Sequence, residues 1–293
     1  MQEVFDAGGH QTPLYENLRV ITFAVRKGGV NRTTAVLNLS FAMADAGLRV
    51  LMLDLDSQLD LTSMTPGIPN NAATIFDMFS SDDGRSLVDA AVSTSHPNVD
   101  LVPGDREIST FDIQIAAFKD DVRYRILRHY IKLSRVSERY DVVTIDIGPS
   151  MNGTTLNALI ASTHYIVPIC PAYYSVKNIE LLESEIDAEV LEDNPGLASL
   201  GVFITSFDKR RRLDRTVREL VGRDLGDELL QTQIRSNQNF EEAASIQRSI
   251  FEYESATTVD RKRRRGRDDY AALAYEILEK LALTPNYMEI GNG

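Results

Sequence analysis

Short, mostly uncharged runs of aliphatic and β-branched residues recur along the chain. The first run, RVITFAV at residues 19–25, has no charge after Arg19, which is typical of a strand buried on both faces of a parallel sheet. Four similar runs follow it. They predict strands at 49–56, 141–147, 164–169 and 200–207.

The segments between these runs carry apolar residues at helical spacing, and the first of them is closed by Gly47. Helices are predicted at 33–46, 124–139, 176–192, 212–224 and 268–282. Strands that alternate with helices predict an α/β fold, a doubly wound, mostly parallel sheet with flanking helices. Because no linker or repeat interrupts the pattern, we expect one domain at 19–283, between a flexible extension at 1–18 and a flexible tail at 284–293.

Composition narrows the class of protein. With 43% hydrophobic and 25% charged residues, the 293-residue chain matches a globular protein and not a disordered one. Its single cysteine, Cys170, excludes an intramolecular disulfide, a four-thiolate zinc site and an iron–sulfur cluster. No apolar run approaches the roughly 20 residues of a membrane-spanning helix, and the acidic first 18 residues differ from a signal peptide. We therefore expect a cytoplasmic protein.

Charge is distributed unevenly along the chain. The formal net charge is -12, which argues against a protein coated everywhere by nucleic acid. Residues 205–270 nevertheless hold 15 Lys and Arg against 13 Asp and Glu, whereas the rest of the chain holds 16 Lys and Arg against 30 Asp and Glu. Any polyanion is therefore expected to bind the C-terminal third.

A glycine-containing turn joins the first predicted strand to the first predicted helix. In this context, successive backbone N–H groups and a helix N-terminus can point at one phosphate. The turn and helix start at residues 26–34 read RKGGVNRTT. A strict GxxxxGK[ST] pattern does not match it, because Arg26 and Asn31 occupy the glycine positions and Arg32 occupies the lysine position.

The turn resembles xKGGxGK[ST]T, the deviant Walker motif of the ParA/MinD class of P-loop ATPases. RVLMLDLDSQLDLTS at 49–63 resembles the second motif of that family, and YDVVTIDIGPSMNGTTLNAL at 140–159 resembles the third. Segments 165–182 and 249–278 are also similar to ParA, so the resemblance covers roughly residues 19–282. It implies a deviant-Walker P-loop NTPase that binds ATP and Mg²⁺.

The resemblance implies a role for each residue of this site. Asp146 matches the Walker B acid that holds the metal, Asp54 supports the metal site, and the Thr33 hydroxyl binds Mg²⁺. Asp54 and Asp56 lie two apart on a predicted strand and are expected to face one side, with Asp56 orienting the attacking water. Lys27 is expected to reach the partner's ATP phosphates across a dimer interface. The phosphate-binding residues are Lys27, Gly28, Gly29, Val30, Asn31, Arg32, Thr33 and Thr34.

Two departures from the family pattern bear on catalysis. Asn31 replaces a glycine where a positive φ is common, and asparagine tolerates that conformation better than most residues. Arg32 replaces a lysine that contacts the β- and γ-phosphates, so the charge is kept but the shape is not. Two outcomes follow: slow ATP hydrolysis with Lys27, Asp56 and Arg32 as catalytic residues, or nucleotide binding without useful turnover.

ParA proteins bind DNA non-specifically as ATP dimers, and phosphate contacts suffice for that. The resemblance therefore implies an ATP-dependent homodimer, non-specific DNA and a ParB-like centromere-binding protein as partners. The candidate DNA contacts are Lys209, Arg210, Arg211, Arg212, Arg215, Arg235, Arg248, Arg263, Arg264 and Arg265.

Two other branches of the superfamily fit less well. A membrane-binding, MinD-like protein needs a basic amphipathic C-terminal helix, which TPNYMEIGNG at 284–293 does not supply. A nitrogenase reductase needs more cysteines than one. The leading hypothesis is a nucleoid-associated ParA-like ATPase that partitions plasmid or chromosomal DNA. The alternative is a poorly hydrolysing ATP-binding regulator or cargo-positioning scaffold of the same fold.

Overall fold

A computed structural model describes residues 14–65, 67–80, 85–116, 118, 120–173, 176–257 and 265–284. These residues form eight strands: β1 Arg19–Phe23, β2 Val50–Leu55, β3 Val92–Ser93, β4 Val99–Val102, β5 Val142–Ile147, β6 His164–Ile169, β7 Ala198–Phe207 and β8 Leu229–Arg235. The strands make one sheet in the order β3-β4-β2-β5-β1-β6-β7-β8. Every neighbouring pair is parallel except β3 and β4. The predicted doubly wound, mostly parallel sheet is confirmed.

Helices cover both faces of the sheet. They are α1 Arg32–Asp45, α2 Asp60–Met64, α3 Ile75–Ser80, α4 Leu87–Ala90, α5 Phe111–Ile115, α6 Asp120–Arg123, α7 Ile126–Leu133, α8 Val136–Arg139, α9 Gly153–Ala161, α10 Val176–Glu189, α11 Arg212–Leu225, α12 Asn239–Ser245, α13 Ile250–Thr257 and α14 Arg265–Lys280. Within these described ranges, no helix combines the length and apolar character needed to cross a membrane.

Alternate residues of each central strand enter different hydrophobic clusters, as the strand period of two requires. In β2, Met52 packs in the cluster that contains α1, α13 and α14, whereas Leu51 and Leu53 pack in the cluster that contains α7 and α9. A third cluster joins α10 and α11 to β6 and β7. Because both faces are covered, β2 and β5 are buried at every position, including Asp54 and Asp146.

Two sequence predictions require correction. The expected flexible extension does not include residues 14–18, because Tyr15 and Leu18 are buried and the Tyr15 hydroxyl donates to the Ala161 carbonyl at 2.8 Å. Residues 1–13 and 285–293 lie outside the described residues. The single helix expected at 124–139 is two helices, α7 and α8, because Arg135 between them adopts a left-handed backbone with φ of 49°.

The carboxyl ends of the central strands bring distant parts of the sequence together. Asp54 near the end of β2 is paired in register with Asp146 of β5, and Asp146 is paired in register with Phe23 of β1. The turn between β1 and α1 starts at this same edge. The three motifs found in the sequence therefore converge on one site.

Candidate functional site

The turn between β1 and α1 has the backbone of a phosphate-binding loop. Gly29 has φ of 80°, and Asn31, the residue that caps α1, lies in the left-handed region with φ of 59° and ψ of 34°. The expectation that asparagine can adopt the conformation needed there is thus met. The first turn of α1 carries no acidic residue, and the Asn31 side chain makes no capping hydrogen bond to it, so these N–H groups suit an anion.

Side chains of β7 hold this loop in place. The Thr205 hydroxyl lies 3.0 Å from the Val30 carbonyl oxygen and 3.1 Å from the Ile169 carbonyl oxygen. The side-chain amide of Asn31 donates to the Ser206 hydroxyl at 2.7 Å. The loop is therefore attached to a strand some 175 residues away in sequence, a connection that no local sequence signal indicated.

Arg32, the first residue of α1, bridges two carboxylates. Its Nε donates to Asp146 Oδ1 and its Nη2 donates to Asp56 Oδ2, each at 2.6 Å. All three side chains are at most 9% exposed. Burial acts to lower the pKa of Arg32, but the charges and hydrogen bonds of Asp146 and Asp56 outweigh it and raise the pKa. The guanidinium is therefore a fixed positive charge at the centre of the site.

Asp146, like Asp54, is completely buried. Burial raises the pKa of its carboxyl group, while Arg32 and the nearby Thr33 hydroxyl act in the opposite direction. Its Oδ2 atom is buried and makes no well-formed hydrogen bond within the described part of the protein. A buried carboxylate oxygen of this kind suits a hard cation such as Mg²⁺.

The other potential ligands also suit Mg²⁺ better than they suit a metal that binds only to protein side chains. Among the residues that the structure describes, no group of three or more His, Cys, Asp or Glu could hold a metal ion by itself. Mg²⁺ usually binds through one or two carboxylates and completes its shell with water and phosphate oxygens. The carboxylate of Asp146 and the adjacent Thr33 hydroxyl fit that pattern.

Asp54 has different partners from Asp56, although sequence spacing suggested that both face one side. Asp54 Oδ2 accepts hydrogen bonds from the Thr62 backbone N–H at 2.9 Å and from the Thr62 hydroxyl at 2.6 Å. Asp56 follows the last residue of β2, so the strand alternation does not govern it, and it turns to Arg32. Burial, with the nearby charge of Asp146, raises the pKa of Asp54 to about 7.

Lys27 lies in the exposed part of the loop, between the buried residues Val25 and Val30. The adjacent Arg26 forms an ion pair with Glu185 of α10, with Nε 3.2 Å from Oε2. The base of the loop is thus fixed against α10 while the Lys27 side chain stands at the surface. This position agrees with the role that the sequence resemblance implies for it.

Sequence reasoning missed a cavity of about 460 Å³ beside the phosphate loop. Its wall includes Asn31 and Thr34 of the loop, together with Ser206, Asn237, Phe240 and Glu241. The size lies within the roughly 300–1,000 Å³ typical of small-ligand sites, and an aromatic ring with several polar groups suits a nucleoside. In the segment 234–243 only Arg235 is predicted to have a role, in contacting DNA, and the SNQNF run at 236–240 gives no recognisable signal of a nucleotide pocket.

Half of the candidate DNA contacts lie at the junction of β7 and α11, at the same edge of the sheet as the phosphate loop. Lys209, Arg210, Arg211, Arg212 and Arg215 are all exposed there. Arg210 pairs with Asp208 at 2.8 Å, and Arg215 donates to the carbonyls of Lys209 and Arg210. These bonds order the junction and leave a cluster of positive charge at the surface.

The remaining candidates are scattered. Arg235 binds Asp269 through its backbone N–H, Nε and Nη2, with Nη2 2.6 Å from Oδ1, and its role in DNA binding stays a prediction. Arg248 is exposed between α12 and α13, and Arg265 is exposed at the start of α14. Arg263 and Arg264 lie outside the described residues.

Residues 18–198 match the family model described as an AAA domain. The chain is 30% identical over 264 residues to the chromosome partitioning protein ParA of Caulobacter vibrioides, with 90% of this chain and 95% of that protein covered. It is 29% identical to the sporulation initiation inhibitor protein Soj of Bacillus subtilis, with 88% and 98% covered.

Solved structures share the fold. A cobyrinic acid a,c-diamide synthase from Mycobacterium smegmatis with bound ATP analog and magnesium superposes with a TM-score of 0.71 at 24% identity, covering 92% of this chain and all of that chain. A putative plasmid partition protein from Borrelia burgdorferi bound to AMPPNP gives a TM-score of 0.68 at 20% identity, covering 91% and 100%. These similarities establish the doubly wound P-loop fold.

Proposed function

Because the chain belongs to the ParA family of P-loop partition ATPases, we propose that it binds ATP with Mg²⁺ and hydrolyses it to drive DNA partition. The observation that carries the proposal is the convergence of a loop shaped for phosphate with Arg32, Asp56 and Asp146. The relative from Caulobacter vibrioides is named a chromosome partitioning protein, and the similarity covers 95% of its length.

The phosphates of ATP are held by the loop and by the start of α1. The N–H groups of residues 28–34 donate to phosphate oxygens, and the guanidinium of Arg32 supplies positive charge. The nucleoside enters the cavity lined by Phe240 and Asn237. Thr33 and Asp146 hold Mg²⁺, which when bound neutralises charge that develops on the transferred phosphoryl group. Asp54, bonded to Thr62, positions the end of β2 beside them.

Hydrolysis needs a water molecule in line with the γ-phosphate. Asp56 is buried beside Arg32 and is the acid that orients this water. Lys27 reaches the partner's phosphates in an ATP-bound homodimer, so turnover depends on dimerisation. A ParB-like protein stimulates turnover and releases the dimer from DNA.

The dimer binds DNA through the exposed basic cluster at the β7 and α11 junction. A monomer with net charge -12 is repelled by DNA at long range. Dimerisation doubles the local cluster and brings it within a Debye length of about 8 Å of the phosphates at physiological salt. Binding is therefore ATP-dependent and associates the protein with the nucleoid.

A second candidate function follows from Arg32. Its guanidinium is longer than the family's lysine and is already paired with two acids, an arrangement that favours slow turnover. On this basis the alternative is a regulator or cargo-positioning scaffold that binds ATP and DNA but cycles poorly.

Single-turnover hydrolysis separates the two functions. Phosphate release is measured for wild type with Mg²⁺, alone and with DNA and a ParB-like partner. The partition ATPase predicts release that the partner accelerates and that Asp56→Ala abolishes. As a control, Asp100→Asn changes an equally buried acid that bonds Tyr140 away from the site, and should leave release intact. Bound ATP that stays uncleaved with DNA and partner present would select the scaffold.

A further inference from the structure

One guanidinium compensates both carboxylates on which the proposed function depends. Arg32 Nε and Nη2 lie on the same edge of the planar group, and they bind Asp146 and Asp56 respectively. A lysine ammonium is a compact point charge and does not present this fork. The bridge is therefore specific to the arginine that this chain has at that position.

Arg32 and a magnesium ion would use the same carboxylate. Arg32 occupies Oδ1 of Asp146, and the buried Oδ2 atom makes no well-formed hydrogen bond to the residues that the structure describes. Two cations on the two oxygens of one buried carboxylate repel each other strongly, because the surroundings screen charge poorly. Occupation of Asp146 by the metal and by Arg32 should therefore be alternative states.

ATP offers Arg32 a competing set of anionic oxygens. Because Arg32 is the first residue of α1, it lies next to the loop and the helix N-terminus where the phosphates bind. Moving it to the phosphates would leave Asp56 and Asp146 as uncompensated buried charges, which is costly unless another cation arrives. The phosphates and the metal are therefore coupled through Arg32.

We propose that Arg32 is an internal counter-ion for Asp146 and Asp56, and that it keeps Mg²⁺ off the site until the phosphates of ATP draw its guanidinium away. This inference rests on the proposed function for the identity of the nucleotide, but not for the behaviour of the free protein. It assigns Arg32 a positioning role in the free state in addition to a phosphate contact.

The first test uses no nucleotide. Thermal unfolding is measured with EDTA and with about 10 mM Mg²⁺ for wild type, Arg32→Ala and the control Arg49→Ala, which breaks the ion pair with Asp141 outside the site. We expect Mg²⁺ to leave the Tm of wild type and Arg49→Ala within about 1 °C, and to raise that of Arg32→Ala by about 3 °C or more.

Either of two results overturns the inference in this test. One is equal stabilisation of wild type and Arg32→Ala by Mg²⁺, which would mean that Arg32 does not exclude the ion. The other is a folded Arg32→Ala whose Tm is insensitive to Mg²⁺, which would mean that the two acids do not bind it. Because ATP is absent, these results are independent of whether the proposed ATPase activity is correct.

The second test measures ATP affinity by calorimetry, and it also decides the matter if Arg32→Ala does not fold. Asp56→Asn removes one of the two competing charges while keeping the shape of the side chain. In EDTA, we expect Asp56→Asn to bind ATP at least about threefold more tightly than wild type does. Adding Mg²⁺ should increase the ATP affinity of Asp56→Asn less than it increases that of wild type. Asp100→Asn should match wild type in both buffers.

An unchanged affinity of Asp56→Asn in EDTA, or a wild type that binds ATP equally well with and without Mg²⁺, contradicts the counter-ion role. Failure of every variant and of wild type to bind ATP contradicts the proposed function instead. In that case the nucleotide-free unfolding test still decides the role of Arg32.

Discussion

The side-chain amide of Asn31 donates a 2.7 Å hydrogen bond to the hydroxyl of Ser206, and both residues have left-handed backbones, with φ of 59° and 52°. The bond joins the phosphate loop to the end of β7 at the wall of the proposed nucleoside cavity. An asparagine can thus replace the family's glycine because its side chain gains a partner that glycine lacks.

Asn31→Ala should lower the free energy of unfolding by about 1 to 2 kcal/mol, because alanine is strained in the left-handed backbone conformation and cannot make the hydrogen bond to Ser206. Asn31→Gly should lose less than about 1 kcal/mol, since glycine adopts the conformation freely. Urea denaturation measures both. Asn17, also left-handed with φ of 57° but outside the loop, supplies the control. Asn17→Ala should reduce stability without changing ATP affinity, whereas Asn31→Ala should weaken both.

Lys27→Ala should impair the ATP-dependent dimer more than nucleotide binding, because the exposed side chain is expected to reach the partner's phosphates. Light scattering with ATP and Mg²⁺ should show at least about a tenfold weaker dimer or an equal loss of turnover, with ATP affinity changed by less than about threefold. Lys280→Ala, at the end of α14, is the matched control. Wild-type dimerisation and phosphate release in Lys27→Ala would refute the cross-interface role.

The half-buried position of His164 should make the free energy of unfolding depend on pH. Burial, with the charge of Arg19, lowers the pKa of its imidazole to about 4. The unfolded chain therefore takes up a proton near pH 6.5 while the folded protein does not, and stability falls as the pH drops from 6.5 towards 4. The difference in unfolding free energy between wild type and His164→Gln should shift by roughly 1 to 2 kcal/mol between pH 7 and 4.5. A constant difference would contradict the assignment.

The central strands could be predicted because they are mostly apolar runs buried on both faces, but β3, β4 and β8 could not. β3 has two residues, and β4 contains Asp100, whose carboxylate is satisfied by the Tyr140 hydroxyl 40 residues away. β8 reads LLQTQIR and places three consecutive polar residues in its middle, so it lacks the signature of a buried parallel strand. β3 and β8 are the outermost strands of the sheet, whereas β4 lies between β3 and β2.

The loop and its acids could likewise be predicted from local motifs, but their partners could not. Arg32 binds Asp56 and Asp146, which are 24 and 114 residues away, and only the parallel register of β2 and β5 brings those acids together. From the sequence, Arg32 is expected to slow hydrolysis, because a guanidinium differs in shape from the lysine ammonium that contacts the phosphates. The structure adds a second reason, since the side chain has competing anions within the protein.

Arg32→Lys should raise the rate of ATP hydrolysis by about tenfold or more, because an ammonium fits between the β- and γ-phosphates and cannot bridge both acids. Asp56→Ala should remove the remaining turnover in either background, because the attacking water loses its orienting carboxylate. Phosphate release under single-turnover conditions measures both. An unchanged rate in Arg32→Lys would mean that the loop has adapted to arginine and that its shape does not limit catalysis.

Replacing Arg210, Arg211 and Arg212 together by Ala should weaken DNA binding equally for all sequences, because exposed arginines at this junction contact phosphates and not bases. Each lost phosphate contact should reduce the slope of log affinity against log salt by about 0.9. ATP affinity should stay unchanged, since none of the three lines the nucleoside cavity.

Gel-shift titrations with ATP at several salt concentrations measure this effect. The matched control replaces Arg49, Arg135 and Arg139, three exposed arginines that also pair with acids but lie at the opposite edge of the sheet. The control should bind DNA as wild type does, because it removes the same formal charge from a face that does not meet phosphates. An equal loss of DNA affinity in both triple variants would mean that the affinity depends only on the net charge of the protein. Unaltered affinity in the Arg210, Arg211 and Arg212 variant would exclude this junction, and the basic run at 261–267 would then be tested next.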